Sequence, residues 1–230
     1  MKKIEWKWEW PHWIVLIFLT VHYILLGRFN IDPSCEENAE AYLSNLPETT
    51  DVIQLNIDFF LVLVVFAYLM YAFLLVFPTI DPYRKTYTTS KKVFNSIRFS
   101  VLALITGLYV IFQYDIIESE FSAGKAVLVF IGIVLMMIGN QMGKIRPNWF
   151  IGIPTPWTLT SRLAWQKTNR LGGWLITIQG IVLIPFSWFS TAFGVIYLLV
   201  TTCGTFLTLF FYSYVIHSAD ENKEPTFTAK

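Results

Sequence analysis

The stretch that decides the fold runs from Leu55 to Phe77 and reads LNIDFFLVLVVFAYLMYAFLLVF. It holds one charged side chain, Asp58. A continuous apolar run of about 20 residues is typical of a helix that crosses the hydrocarbon core of a membrane, and it is too long for a barrel strand. Five further apolar segments are Trp13–Phe29, Ile97–Tyr114, Ala126–Met142, Trp174–Phe189 and Phe193–Ile216. The sequence therefore predicts an all-α, polytopic membrane protein, residues 1–230 forming a single domain of six transmembrane helices.

The composition agrees with a membrane protein and argues against a soluble one. Hydrophobic residues make up 55% of the 230 residues and charged residues 14%, with a mean hydropathy of +0.53. An ordinary globular domain carries about 25% charged residues. The net charge of +1 and the scattered basic residues also argue against direct binding of nucleic acid.

The distribution of Lys and Arg predicts the orientation. With the N-terminus inside, 15 of the 17 basic residues fall in the N-terminal segment, the second and fourth loops and the C-terminal segment. Only Arg28 and Lys125 lie at outer boundaries. Because cytoplasmic loops carry an excess of basic residues, both termini are expected in the cytoplasm.

Polar residues concentrate in the fourth loop, whose beginning reads GNQMGKIRPNWFIGIPTPWTL from Gly139 to Leu159. Asn140 falls at the inner end of the fourth span, where an unpaired amide would be costly. Gly139 and Gly143 would let another helix approach closely. Three prolines forbid a continuous helix, so a fixed, kinked loop is expected at the cytoplasmic interface.

A short interfacial helix is predicted to follow this loop. Ser161 can cap it, Arg162 to Leu171 would form it, and Gly172-Gly173 would end it. One side would hold Leu163, Ala164, Trp165, Thr168 and Leu171, and the other Arg162, Gln166, Asn169 and Arg170. The helix could simply lie on the membrane surface with its basic face on anionic headgroups. Alternatively, Lys144, Arg146 and Arg170 could bind a protein or a lipid phosphate.

The segment Gly139–Gly173 resembles the signature of the SdpI-like family of bacterial membrane proteins. That signature reads approximately G-N-x-M-G-K-x-R-P-N-x-x-x-G-I-R-T-P-W-T-L, then W-x-K-T-H-R-x-x-G. Its first part is matched by Gly139, Asn140, Met142, Gly143, Lys144, Arg146, Pro147, Asn148, Gly152, Thr155, Pro156, Trp157, Thr158 and Leu159. Its second part is matched by Trp165, Lys167, Thr168, Arg170 and Gly173. A weaker likeness begins at Asp81-Pro82 in the second loop.

The resemblance implies an immunity function in the cytoplasmic membrane of a bacterium. It implies resistance to a secreted antimicrobial peptide met on the outer side and retention of a transcriptional repressor on the cytoplasmic side. Two positions depart from the signature: Pro154 stands where the family usually has Arg, and Asn169 where it usually has His. The first change removes a cation from the loop, and the second removes a group suited to proton transfer.

The chain carries no recognisable catalytic motif, so a protein without enzymatic activity, cofactor or metal is expected. Its two cysteines, Cys35 and Cys203, fall at different depths and favour neither a disulfide nor a metal site. Three intramembrane polar residues are candidates for contacts between helices: His22, Asp58 and Gln179. The alternative function is an enzyme or transporter that acts on a lipid or isoprenoid phosphate through Lys144, Arg146 and Arg170.

Overall fold

The protein is described here by a computed structural model that covers residues 10–29, 49–81, 91–117 and 122–220. All regular secondary structure in these ranges is helical, which confirms the all-α prediction. The helices are α1 (Trp10–Phe29), α2 (Thr49–Ile80), α3 (Lys91–Ile117), α4 (Ala123–Met142), α5 (Pro156–Thr160), α6 (Arg162–Phe189) and α7 (Thr191–Ser218). Residues 1–72 and 73–230 form two compact units, which are considered separately below.

Five of the described helices are long and apolar enough to cross a membrane: α2, α3, α4, α6 and α7. The apolar part of α1 is shorter, Pro11–Leu25. Large apolar side chains of α7 are widely exposed, including Phe206 at 68% and Val200 at 66%. Such exposure is uncommon on a soluble protein and suits a lipid environment. The chain is a multi-pass membrane protein, while the count of six spans and the single domain stay predictions.

In the unit of residues 1–72, polar and aromatic contacts join α1 to the first part of α2. The Thr20 and Tyr68 hydroxyls lie 2.9 Å apart, and Thr20 also donates to the Leu16 carbonyl at 2.9 Å. The rings of His12 and Tyr71 stack with centroids 5.7 Å apart. Hydrogen bonds between polar side chains help hold helices together where apolar contact with lipid is equally available.

In the unit of residues 73–230, α6 packs against α4 and α7, and glycines let α4 and α6 approach closely. A Cβ atom on Gly139 would lie 2.8 Å from the Gly173 carbonyl oxygen, and one on Gly173 would lie 2.7 Å from the Gly139 oxygen. About two turns away, a Cβ on Gly132 would lie 2.8 Å from the Gly180 oxygen. The expected close approach therefore occurs at Gly139.

The helix α6 also lies beside Gly143, which follows the last residue of α4, because a Cβ on Gly173 would lie 3.4 Å from the Gly143 backbone nitrogen. A Cβ on Gly143 itself would be 3.7 Å from the Arg170 Cα, an ordinary van der Waals distance. A Cβ on Gly143 would fit without moving its neighbours, so the helix approach expected at this glycine is present but less tight than at Gly139.

The expected end of a short helix at Gly172-Gly173 is wrong. The helix begins at Arg162 with Ser161 as its N-cap, as predicted, but it continues through both glycines to Phe189. Both glycines are buried against other parts of the unit. A Cβ on Gly172 would lie 2.6 Å from the Ile153 side chain. These glycines make room for neighbours, and glycine is tolerated inside membrane helices whose backbone bonds stay intact.

Candidate functional site

The loop between α4 and α5, residues 143–155, is folded around the buried side chain of Asn148. Its side-chain oxygen accepts hydrogen bonds from the amides of Phe150 at 3.0 Å and Ile151 at 2.6 Å. Its side-chain nitrogen donates to the Arg146 carbonyl at 2.8 Å. Because the prolines prevent a helical ladder here, Asn148 supplies partners that the backbone would otherwise lack. Asn148 thus acts on the loop itself.

Two buried side chains of α6 hold both ends of this loop. The Trp165 indole nitrogen donates to the Ile145 carbonyl at 2.9 Å. The Asn169 side-chain oxygen accepts from the Ile153 amide at 3.1 Å, and its nitrogen donates to the Trp165 carbonyl at 3.0 Å. The loop is therefore fixed to the first turns of α6 by directional hydrogen bonds, which are worth most where water is absent.

Gly152 is required by this attachment. Its φ is +112°, a backbone conformation that side chains rarely adopt. A Cβ there would also lie 2.6 Å from the Asn169 side-chain oxygen and 3.2 Å from the Trp165 ring. Both the backbone conformation and the lack of space explain the glycine at this position.

The end of α2 reaches the same loop through Asp81. Asp81 is buried, and its carboxylate accepts a hydrogen bond from the Trp149 amide at 3.1 Å. The rings of Phe77 and Phe150 stack nearby with centroids 4.4 Å apart. The two stretches that carried the sequence resemblance, at Asp81 and at Gly139–Gly173, thus meet in one assembly.

The helix α5 is fixed at its N-terminus and joined to α7. Thr155 caps it in a capping box with Thr158, and Pro156 occupies the first turn, where a missing amide is tolerated. The Thr155 hydroxyl also donates to the Ser213 hydroxyl of α7 at 3.0 Å. The half-buried Trp157 packs edge-on against Phe210 and Tyr214 of α7, with centroids 4.9 and 5.3 Å away.

A buried carboxylate after α7 completes the assembly. The Ser161 hydroxyl accepts from the Ala164 amide at 3.0 Å, which caps α6, and donates to the Asp220 carboxylate at 2.5 Å. Sequence reasoning found Ser161 but missed Asp220 and Ser213. Ser213 could have been suspected as a hydroxyl within an apolar helix, whereas Asp220 gave no signal beyond its charge.

The cationic side chains of this region point away from that network. Lys144, Arg146, Lys167 and Arg170 are all exposed, and so is Asn140. Within the described ranges, none of these four cations forms an ion pair. The backbone of Arg170 lies against Gly143, the residue before Lys144. The predicted residues are therefore divided into a buried set that fixes the loop and an exposed basic set.

The predicted faces of α6 need two corrections. Asn169 was expected on the polar side but is 1% exposed, and Leu163 was expected on the apolar side but is 38% exposed. Burial of Asn169 is compensated by its two hydrogen bonds. Ala164, Trp165 and Thr168 are buried as expected, and Leu171 is half-buried.

The intramembrane polar residues are spread along the helices. Gln179 of α6 is buried and donates to the Thr202 hydroxyl of α7 at 2.7 Å, so it joins two helices. His22 is half-buried, with its ring 5.6 Å from that of Phe18. The side chain of Asp58 lies outside the described part of the chain.

Comparison with known proteins identifies the family that this region resembles. A profile of the SdpI/YfhL protein family matches residues 144–215. "Immunity protein SdpI" of Bacillus subtilis (strain 168) is 30% identical over 70 residues, which cover 30% of this chain and 34% of that protein. The match thus spans about a third of the relative's length. No solved structure matches the chain.

These matches confirm the resemblance found in the sequence. The profile covers most of the loop, all of α5 and α6 and most of α7. It therefore contains Asn148, Trp165, Asn169 and Ser213, whereas Asp81 and Asp220 fall outside it. The part of the chain that matches the profile thus contains most of the residues that form the hydrogen-bonded assembly.

Proposed function

We propose that this protein is an SdpI-type immunity protein that protects a bacterium against a secreted antimicrobial peptide. The supporting observation is that the family profile coincides with the loop assembly built on Asn148, Trp165 and Asn169. Hydrogen bonds from buried side chains such as these to a single loop give that loop a fixed shape. The expected absence of enzymatic activity belongs to the same proposal.

The proposed topology has six spans and both termini in the cytoplasm. It is supported by the 15 of 17 basic residues that this orientation places inside. The loop assembly then lies at the cytoplasmic end of the bundle, with the first turns of α6 near the headgroups. Fusion of a reporter active only in the cytoplasm after Asp220 should give signal, while fusion into the segment 30–48 should give none.

A cytoplasmic partner is the second part of the proposal. The exposed cations Lys144, Arg146, Lys167 and Arg170 would form the surface that holds a transcriptional repressor at the membrane. Exposed charges at the edge of an interface speed the association of a partner and contribute to the specificity of its binding. Peptide protection and repressor retention would then use different parts of the molecule.

The test is expression of the chain in a bacterium killed by the peptide that the relative resists. We expect survival with the wild-type chain and loss of survival with Asn148→Ala, because the loop loses three hydrogen bonds. Asn140→Ala is the matched control, since Asn140 is exposed and should leave survival unchanged. Killing that is equal with and without the wild-type chain, once the chain has been detected in the membrane of the expressing cells, would refute protection.

A second candidate function is binding of a lipid or isoprenoid phosphate. It is supported by the exposure of Lys144, Arg146 and Arg170 and by the contact of Arg170 with Gly143. The double variant Lys144→Ala/Arg146→Ala should then bind a polyprenyl phosphate more weakly while keeping its unfolding temperature. Equal binding by this variant and the wild type would reject the candidate.

A further inference from the structure

A second feature of the unit of residues 73–230 lies at the end of α4 opposite the loop. A cleft of about 450 Å³ opens there between α3, α4 and α6. Its walls are apolar for most of its length: Ile111 comes from α3, Val129, Phe130 and Ile133 from α4, and Trp188 from α6. Its volume falls within the range of small-ligand sites, and it is an open groove, not an enclosed cavity.

The polar groups of the cleft are concentrated at one end. Ser122 and Lys125, at the beginning of α4, line that end, and both are exposed. Ser187 also lines the cleft, but its buried hydroxyl donates to the Ile184 carbonyl of its own helix at 2.6 Å. Within the described ranges, Lys125 forms no ion pair. The cleft therefore has one cationic end and an apolar remainder.

The shape and charge of this cleft fit a lipid with an anionic headgroup. Lys125 and Ile133 are separated by about 12 Å of helix rise, which suits an extended chain beside α4. The Lys125 ammonium and the positive end of the α4 dipole both favour an anion at the mouth.

We propose that this cleft binds a membrane phospholipid, with its phosphate at Lys125 and one acyl chain along Val129 and Ile133. The phosphate would gain a charge-assisted contact that a neutral lipid cannot make. The acyl chain would replace contacts that the exposed walls otherwise make with bulk lipid. This site is independent of the loop assembly and of the proposed protection against a peptide.

The test compares two lipids with identical acyl chains, phosphatidylglycerol and diacylglycerol, which lacks the phosphate. Binding to the full-length protein in detergent is measured by native mass spectrometry. The wild type should bind phosphatidylglycerol more tightly, and Lys125→Ala should weaken that binding about fivefold without affecting diacylglycerol. Lys125→Arg keeps the charge and should bind as the wild type does.

A second variant tests the apolar part of the cleft. Val129→Phe adds a ring to its wall and should weaken binding of both lipids. Val195→Phe is the matched control, because Val195 is exposed on α7 and does not line the cleft. The proposal is overturned if the wild type binds the two lipids equally, if Lys125→Ala binds phosphatidylglycerol normally, or if Val129→Phe binds both lipids as the wild type does.

Discussion

The loop of residues 143–155 and the crossing of α4 with α6 adjoin one another but are held by different interactions. In the loop, side chains such as Asn148 and Asn169 supply hydrogen bonds to the backbone. At the crossing, Gly139 and Gly173 contribute by having no side chain, so that two backbones come into contact. The loop depends on particular polar atoms, whereas the crossing depends on the absence of side chains at Gly139 and Gly173. Substitutions should therefore damage the two regions in different ways.

The largest effect is expected at the crossing. Gly139→Leu places a side chain against the Gly173 oxygen and the Thr177 backbone nitrogen, both 2.8 Å from the new Cβ. Neither backbone atom can move without separating the helices, so the free energy of unfolding should fall by about 3 kcal/mol, the upper end of the usual cost of overpacking. This fall is measured by heating the protein in detergent and monitoring the loss of its monomer peak in size-exclusion chromatography.

Gly204→Leu is the matched control, because no atom lies within 4 Å of a Cβ at Gly204. Its unfolding temperature should stay at the wild-type value or rise, since leucine is a better helix former than glycine. Equal losses for the two variants would mean that general disturbance of apolar helices, and not the close crossing, decides the stability.

The second-largest loss of stability is expected in the loop, where side chains supply hydrogen bonds to the backbone. Asn169→Ala leaves the buried Ile153 amide and Trp165 carbonyl without their side-chain partners, which should cost about 1–3 kcal/mol of unfolding free energy. Gln166→Ala, on the exposed side of the same helix, should change it by less than about 0.5 kcal/mol. Urea unfolding of the reconstituted protein distinguishes the two. A similar cost at both positions would show that loss of side-chain length on α6 matters, and not the attachment of the loop.

Asn169→His sharpens this result because the family usually has histidine here. A neutral imidazole offers one donor and one acceptor, as the amide of Asn169 does in its two hydrogen bonds. The variant should therefore recover part of the loss at neutral pH. An imidazolium has no acceptor, so this recovery should vanish at acidic pH. The role shared by the two residues would then be support of the loop.

The different physics of the two regions also explains what the sequence could predict. The span ends follow from apolar runs, and α2, α3, α4 and α7 each extend only a few residues beyond the predicted ends. The motif residues Asn148 and Trp165 could be singled out, but their hydrogen-bond partners are backbone groups that have no sequence signature. Gly172-Gly173 suggested a helix end because glycine often ends helices in water. In the folded protein these two glycines instead leave space for α4 and Ile153, and that packing cannot be deduced from the sequence.

Asp220 is a second residue whose role could not be predicted from the sequence. It lies far from Ser161 in the sequence, and nothing local distinguishes it from the acidic residues of a solvated tail. Asp220 can accept the hydrogen bond from Ser161 because α7 ends beside the N-cap of α6. A pair that depends on the ends of two packed helices can be read only from the folded chain.

A smaller effect is expected from this pair. Ser161→Ala removes the N-cap of α6 and the partner of Asp220 and should cost about 1 kcal/mol. Combining it with Asp220→Ala should cost less than the sum of the two single losses, because they share one hydrogen bond. Thr160→Ala is the control, since its exposed hydroxyl bonds only to carbonyls of α5. Strictly additive losses would show that Ser161 and Asp220 contribute separately.

The smallest effect is expected at Pro154, the other departure from the family signature. Pro154 is exposed, and the two acidic residues that are buried in the described part of the chain, Asp81 and Asp220, already accept hydrogen bonds from Trp149 and Ser161. No buried acid among the described residues is therefore left for an arginine at 154, and Pro154→Arg should lose only about 0.4–1 kcal/mol through the greater freedom of the unfolded chain. A gain in stability would mean that the arginine finds a carboxylate in the fold.

If survival against the peptide or retention of a repressor rises while stability falls as expected, the cation acts on a bound partner. The buried side of the loop would then fix its shape, and the exposed side would set what it recognises.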